Sequence, residues 1–271
     1  MGVYARWDTE KKQWKLVFSC DNLLRKYVGK CRLCIKAKKR RKSKRKDIII
    51  MSTHFLFPET IVKDFVPWDF LEFFLRENPE VVCEVPVIGA EKIIILTDKH
   101  NVEDRKVLNI LTRSGIKSFV HESNKLIKEN YGLILGGFQL SKNVPKQWQH
   151  PHIYLIAFPN SFLPGGFENI LRRFLSYANN FQKKPYYVTK SEDGSQLYLL
   201  NLSMAGEKRS MKEIIEAELK DLTEKIIILI RLARIKNMLG IIIKSGNSNR
   251  LWPLRILSIL GISYECELDA D

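Results

Sequence analysis

The stretch WQHPHIYLIAFP, Trp148 to Pro159, decides how the chain is read. His150 and His152 flank Pro151, and an unbroken apolar run follows at once. A short continuous apolar run closed by proline reads as a buried strand. A histidine at the entry of such a strand can aim a ring nitrogen into a cleft. The next position on the same face lies two residues on, so His152 and Tyr154 are expected to share one side of a sheet.

The same logic extends outward from this strand. DIIIMSTHFLF (residues 47–57) and EKIIILTD (91–98) read as buried strands, and KSFVHES (117–123) and YGLILGGFQLS (131–141) as extended segments. Residues 60–78 read as a helix with Pro67 in its first turn or starting a second helix, and residues 101–115 as a helix closed by Gly115. PGGFENILRRFLSYANNF (164–181) reads as a further helix. KPYYVTKSEDGSQLYLLNLS (184–203) reads as a short helical or extended piece, a DG turn and a strand. The longest helix is expected over 207–238, with GIIIKSG and an apolar terminal segment behind it. Strands and helices in this order predict an α+β fold with a mainly antiparallel central sheet, flanking helices, a basic N-terminal arm and a helical C-terminal region. The expected divisions are 1–46, 47–205 and 206–271.

At 271 residues and 45% apolar content, the chain can bury one large core or two modest ones. Its most apolar region, 226–243, is interrupted by Arg231, Arg234 and Lys236, which argues against a membrane span and for a core helix followed by a strand. There is no apolar leader, and the five cysteines are too scattered for a secreted disulfide framework. A soluble, cytoplasmic protein is expected.

The net charge of +15 is concentrated in one place. Thirteen Lys or Arg and no acidic residue fall between Arg25 and Lys46, so the remainder carries only +2. Lys36, Lys38, Lys39, Arg40, Arg41, Lys42, Lys44, Arg45 and Lys46 form the densest part, a field suited to a polyanion such as DNA. Beside them Cys31 and Cys34 form a Cys-x-x-Cys knuckle that can present two thiolates to zinc. Cys20 supplies a third ligand, and His54 or Cys83 a fourth.

In sequence order, a knuckle with a basic run, an apolar strand containing MST, the HPHI strand and YYVTK resemble the HUH endonuclease superfamily. These are the rolling-circle replication initiators of viruses and plasmids. The resemblance covers roughly residues 29–190. It implies a metal-dependent nicking enzyme acting on single-stranded or origin DNA. His152, with His150 and Gln139, would hold Mn or Mg, and Tyr187 would attack phosphorus. Lys190 would lie near the phenolate, and Tyr186 is the alternative nucleophile. Two departures weaken the pattern: Tyr154 stands where the family has a second histidine, and Gln139 where it has a stronger ligand. With those departures the resemblance implies a weakly bound metal, a site completed by His121 and Glu122, or a weakened or inactive enzyme. A second reading is a non-enzymatic nucleic-acid-binding protein of a mobile element, in which the arm binds and the sheet is scaffold.

Overall fold

The apolar run after His152 forms a strand one place in from the edge of a seven-stranded sheet in the computed structural model of this protein. The structure describes residues 3–19, 68–81, 83–86, 89–97, 102, 104–140, 150–160, 172, 174–176, 185–190, 196–204, 207–218, 225–245 and 263–267. Its strands are β1 (Val3–Asp8), β2 (Gln13–Ser19), β3 (Glu84–Pro86), β4 (Ala90–Ile95), β5 (Tyr131–Leu140) and β6 (His152–Pro159). They continue with β7 (Tyr186–Lys190), β8 (Gln196–Asn201), β9 (Lys225–Leu232), β10 (Met238–Ser245) and β11 (Ser263–Glu267). The helices are α1 (Trp68–Glu77), α2 (Asp104–Ile110), α3 (Ile116–Lys128) and α4 (Glu207–Glu218).

The large sheet has the order β4-β6-β5-β9-β10-β8-β7, and every pairing in it is antiparallel. With helices packed on it, the molecule is α+β, as the sequence predicts. Register ties the strands into cross-sheet rows. One row runs Glu91, Ile156, Leu135, Ile230, Gly240, Leu199, Tyr187. Successive side chains alternate between faces, so His152 and Tyr154 lie on the face of this row, as expected. The other face carries Ile153, Leu155, Ala157, Ile134, Phe138, Ile227, Leu229 and Ile241. These pack with Ile116, Phe119 and Leu126 of α3 and with Met211, Ile214 and Ile215 of α4. Both faces are apolar and buried, and the sheet therefore reads as continuous hydrophobic runs.

A smaller sheet of order β11-β2-β1-β3 brings the two ends of the chain together, with β11 parallel to β2. Trp7 and Trp14 meet edge to face at a centroid distance of 5.4 Å, and the Arg76 guanidinium lies 5.8 Å from the Trp7 ring.

Three local expectations differ from what is observed. Gly115 does not end a helix. Its backbone is right-handed helical (φ −61°, ψ −49°), and the chain passes through a π-helical turn (Leu111–Gly115) straight into α3. A Cβ at Gly115 would come within 2.8 Å of Leu96 Cδ2, so close approach to β4 accounts for the glycine. KSFVHES is helical, because Ile116, Phe119, Ser123 and Leu126 repeat at helical spacing and are buried. The long helix expected over 207–238 stops at Glu218, and Lys225–Leu232 and Met238–Ser245 pair as central strands. Their β-branched runs, KIIILIRL and GIIIKS, are strand sequences buried on both faces. The boundary at 205 therefore falls between strands of one sheet. The first strand expected at 47–57 and the helix over 164–181 lie wholly or mainly outside the described residues.

Candidate functional site

The end of β4 clamps the His-Pro-His segment. Ile95 is in register with His152, and the Leu96 N–H donates to the Pro151 carbonyl at 3.0 Å. The buried His150 ring contacts the Thr97 carbonyl through Nε2 at 2.8 Å. Pro151 fixes φ between the two histidines and has no N–H of its own to satisfy. The segment is thus held at three consecutive β4-side residues by backbone pairing, a backbone hydrogen bond and an imidazole.

His152 is half-buried, and its Nδ1 lies 2.6 Å from the carbonyl oxygen of His150. A carbonyl only accepts, so Nδ1 carries the proton and donates it. In the neutral ring the lone pair then belongs to Nε2. Burial lowers the His152 pKa below its ordinary value, and the bond to His150 pulls less strongly the other way. At neutral pH the ring is therefore uncharged, with a defined tautomer and one basic nitrogen. Such a nitrogen can ligate a metal or attack an electrophile. Among the described residues, no group of three or more His, Cys, Asp or Glu side chains comes together to hold a metal ion.

The structure does not bring Tyr187, Tyr186 or Lys190 to His152. Tyr187 and Lys190 lie on β7, at the far edge, five strands from β6. At a strand spacing of about 4.8 Å that is roughly 24 Å across the sheet. Tyr187 shares the His152 face but is too far to attack a phosphate held there. Tyr186 points to the helical face and packs against its core. Gln139 is on β5, the strand next to β6. His121 is exposed on α3, while the buried Glu122 accepts from Lys92 at 3.2 Å and Lys125 at 2.8 Å. Lys92 has the parity of Ile94, so this charged cluster sits on the helical face, away from His152. Cys83 is half-buried just before β3, and burial pushes its thiol pKa up. Cys20, Cys31, Cys34, His54 and the basic run from Lys36 to Lys46 lie outside the described residues.

Sequence reasoning missed the role of Leu96 and Thr97. Leu96 contributes its N–H and Thr97 its carbonyl, and nothing in a side-chain pattern signals a backbone group.

Three solved structures compare with the chain over most of its length. A uridylyltransferase mutant superposes with a TM-score of 0.52 and 13% identity, covering 89% of this chain and 85% of that one. A galt-like protein from Arabidopsis thaliana gives 0.43 at 10% identity, covering 97% and 94%. An ADP-glucose phosphorylase from Arabidopsis thaliana with bound ADP-glucose gives 0.40 at 12% identity, covering 96% and 93%. No protein-family profile matches the chain, and no curated protein matches it in sequence.

The first of these comparisons shows a shared fold, and it corrects the reading drawn from motif order. The chain resembles a uridylyltransferase in architecture, not an HUH endonuclease. The rolling-circle, endonuclease and virus-or-plasmid expectations fall with that resemblance. So does the nicking mechanism, whose metal and tyrosine stand at opposite sides of the sheet. The alternative of a non-enzymatic nucleic-acid-binding protein gains no support from this comparison. Among the described residues, no helix is long and apolar enough to cross a membrane.

Proposed function

We propose that this protein is a nucleotidyltransferase in which His152 is the nucleophile. Nε2 attacks the α-phosphorus of a nucleoside diphosphate compound, forming an N–P bond as the bond from phosphorus to the bridging oxygen breaks. The departing phosphate compound keeps that oxygen. A second phosphate then attacks the same phosphorus, takes the nucleotidyl group and returns the free imidazole. Splitting the transfer into two displacements is what a histidine nucleophile contributes. The observation that carries this reading is the 2.6 Å contact from His152 Nδ1 to the His150 carbonyl, which leaves Nε2 unprotonated. The contact also buffers the imidazolium-like charge that develops as the N–P bond forms, since Nδ1–H already has an acceptor.

The uridylyltransferase comparison makes a uridine diphosphate sugar the first donor to test. The basic balance of the chain suits an anionic substrate. The reading routes no step through magnesium, manganese or zinc. The test is incubation of the protein with UDP-sugars, and then ADP-sugars, labelled on the α-phosphate. A labelled protein band that is stable to alkali, labile to acid and discharged by a sugar phosphate or inorganic phosphate supports the proposal. No label in the wild-type protein with any of these donors contradicts it.

A further inference from the structure

We infer that Lys244 is an anion-binding group of the same site. It holds the phosphate of the donor that is not transferred and, in the second displacement, the phosphate that accepts the nucleotidyl group. The inference rests on the proposed role of His152. Its basis is a cross-sheet row that puts both residues on one face, at one end of the large sheet. Tyr154 is in register with Gly137, so Gln139, two residues on, falls opposite His152. Gln139 pairs with Ile226, and Ile226 with Lys244. Lys244 therefore stands three strands from His152, roughly 14 Å across the sheet at a spacing of about 4.8 Å.

The chemistry of the face gives that lysine its significance. Among the described strand residues of the large sheet, Lys244 is the only Lys or Arg on the His152 face. Its neighbours there are apolar: Ile226 beside it and Ile242 two residues back are both buried. Further along β10, Gly240 is covered by Phe174, whose Cζ would lie 2.9 Å from a Cβ at that position. The face is thus closed by packing at Gly240, and half-buried Lys244 stands at its polar end with His152. A diphosphate brings negative charge onto this surface, where an unpaired anion is costly. In-line displacement sends the bridging oxygen away from Nε2. With the diphosphate laid along the row, that direction leads to Lys244. An approach of about 3 Å between Nε2 and phosphorus and an ammonium–oxygen contact of about 2.8 Å take up less than half of the ~14 Å span. The diphosphate and the flexible lysine stem cover the rest. The ammonium then offsets the charge that the bridging oxygen gains as its bond to phosphorus breaks.

The test measures binding of nucleoside mono- and diphosphates by calorimetry, first with uridine and then with adenosine nucleotides. The proteins are wild type, Lys244→Met, Lys244→Arg and Lys236→Met. Only the diphosphate carries the phosphate assigned to Lys244. Wild type is expected to prefer diphosphate over monophosphate by about tenfold or more. Lys244→Met is expected to lose most of that preference, with monophosphate affinity within about twofold of wild type, and Lys244→Arg to keep it. Lys236→Met removes an exposed charge from the turn between β9 and β10, at the opposite end of β10, and should alter neither affinity. A folded Lys244→Met protein that keeps the preference overturns the inference. So does a wild type without one, or an equal loss in Lys236→Met. Should Lys244→Met not fold, Lys244→Gln, which is uncharged and polar, decides in its place. The binding readout needs no turnover, so the two claims fail differently. A wild type that binds none of these nucleotides, or prefers the diphosphate but forms no adduct with any labelled donor, refutes the nucleotidyl-transfer reading itself. An adduct formed by a wild type whose preference survives in Lys244→Met refutes the role of Lys244 alone.

Discussion

Gly136→Ala tests how the helical face is packed, because its cost can be worked from one contact. A Cβ at Gly136 would lie 2.6 Å from Cε2 and 2.8 Å from Cδ2 of Phe119, and 3.3 Å from Cγ2 of Ile153. Phe119 is fully buried on α3, and Ile153 on β6, so neither can swing into solvent. Inserting one carbon into a tight core costs about 1–3 kcal/mol, and a stiff aromatic ring places this site near 3. Replacing glycine restricts the unfolded chain and returns about 0.4–1 kcal/mol. The expected net loss is about 2 kcal/mol. With a urea m-value near 3 kcal/mol/M, the unfolding midpoint should fall by about 0.7 M with m unchanged. The cause is separable from general damage. In a Phe119→Leu background the ring edge is gone, and Gly136→Ala should then cost less than about 0.5 kcal/mol. Urea titrations of the four proteins of this cycle measure the coupling directly. Strictly additive losses, or a single-variant loss under 0.5 kcal/mol, would refute the packing argument.

Arg231 is 1% exposed and donates to the Lys236 carbonyl, to the Met238 carbonyl at 2.8 Å and to Asn124 Oδ1 at 2.6 Å, with burial bringing its pKa down to about 10. Arg231→Met strands the buried Met238 carbonyl and removes the bonds to the Lys236 carbonyl and Asn124, at a cost of about 2 kcal/mol, and should lower the thermal midpoint by about 5 °C in calorimetry. Burial alone would raise the Glu122 pKa, but hydrogen bonds and charge from Lys125 and Lys92 outweigh it and hold the carboxyl below its ordinary range. A depressed carboxylate stabilises above its unfolded pKa, and that contribution is lost as pH falls through the folded value. Denaturant midpoints measured from about pH 6 to 3 should therefore fall less steeply in Glu122→Gln than in wild type. His152 has a lowered pKa, so adduct formation should be level from about pH 8 through 6.5 and decline only at lower pH, as Nε2 gains a proton. A decline centred above about pH 7 would contradict the buried, neutral ring.

The parts of the fold that sequence made legible are those where one local signal dominates. IYLIAFP, KIIIL and YGLILGG could hardly be anything but buried segments, and all three are strands of one antiparallel sheet. Where two periods compete, the reading failed. Ile226–Ile243 reads as a core helix followed by a strand; the strand is there as β10, but the helix is not. The β9 residues instead pair along β10, Ile227 with Ile243 and Ile228 with Ile242, a tertiary preference no local window contains. KSFVHES alternates enough to suggest a strand, but its buried positions continue through Leu126 at helical spacing. Gly115 looked like a helix end because glycine usually marks one, while here it admits Leu96.

The site was legible only in part. His150 and His152 stood out in the sequence, as did the face shared with Tyr154. Motif order, however, joined Tyr187 to them over a gap of 34 residues, and it carries no information on strand order. Four strands come between β6 and β7, three of which follow Tyr187 in the chain. The groups that orient His152 are carbonyls, which every residue possesses and no sequence pattern distinguishes.

The central claim is that His152 Nε2 carries a nucleotidyl group. Its most direct measurement is intact and peptide mass spectrometry of protein treated with a UDP-sugar at neutral pH and digested under alkaline conditions. The account predicts a mass gain of one nucleotidyl group, a nucleoside monophosphate less one water, confined to the peptide containing His152 and absent from His152→Ala. A nucleotide on any other residue, or an undiminished gain in His152→Ala, would contradict it.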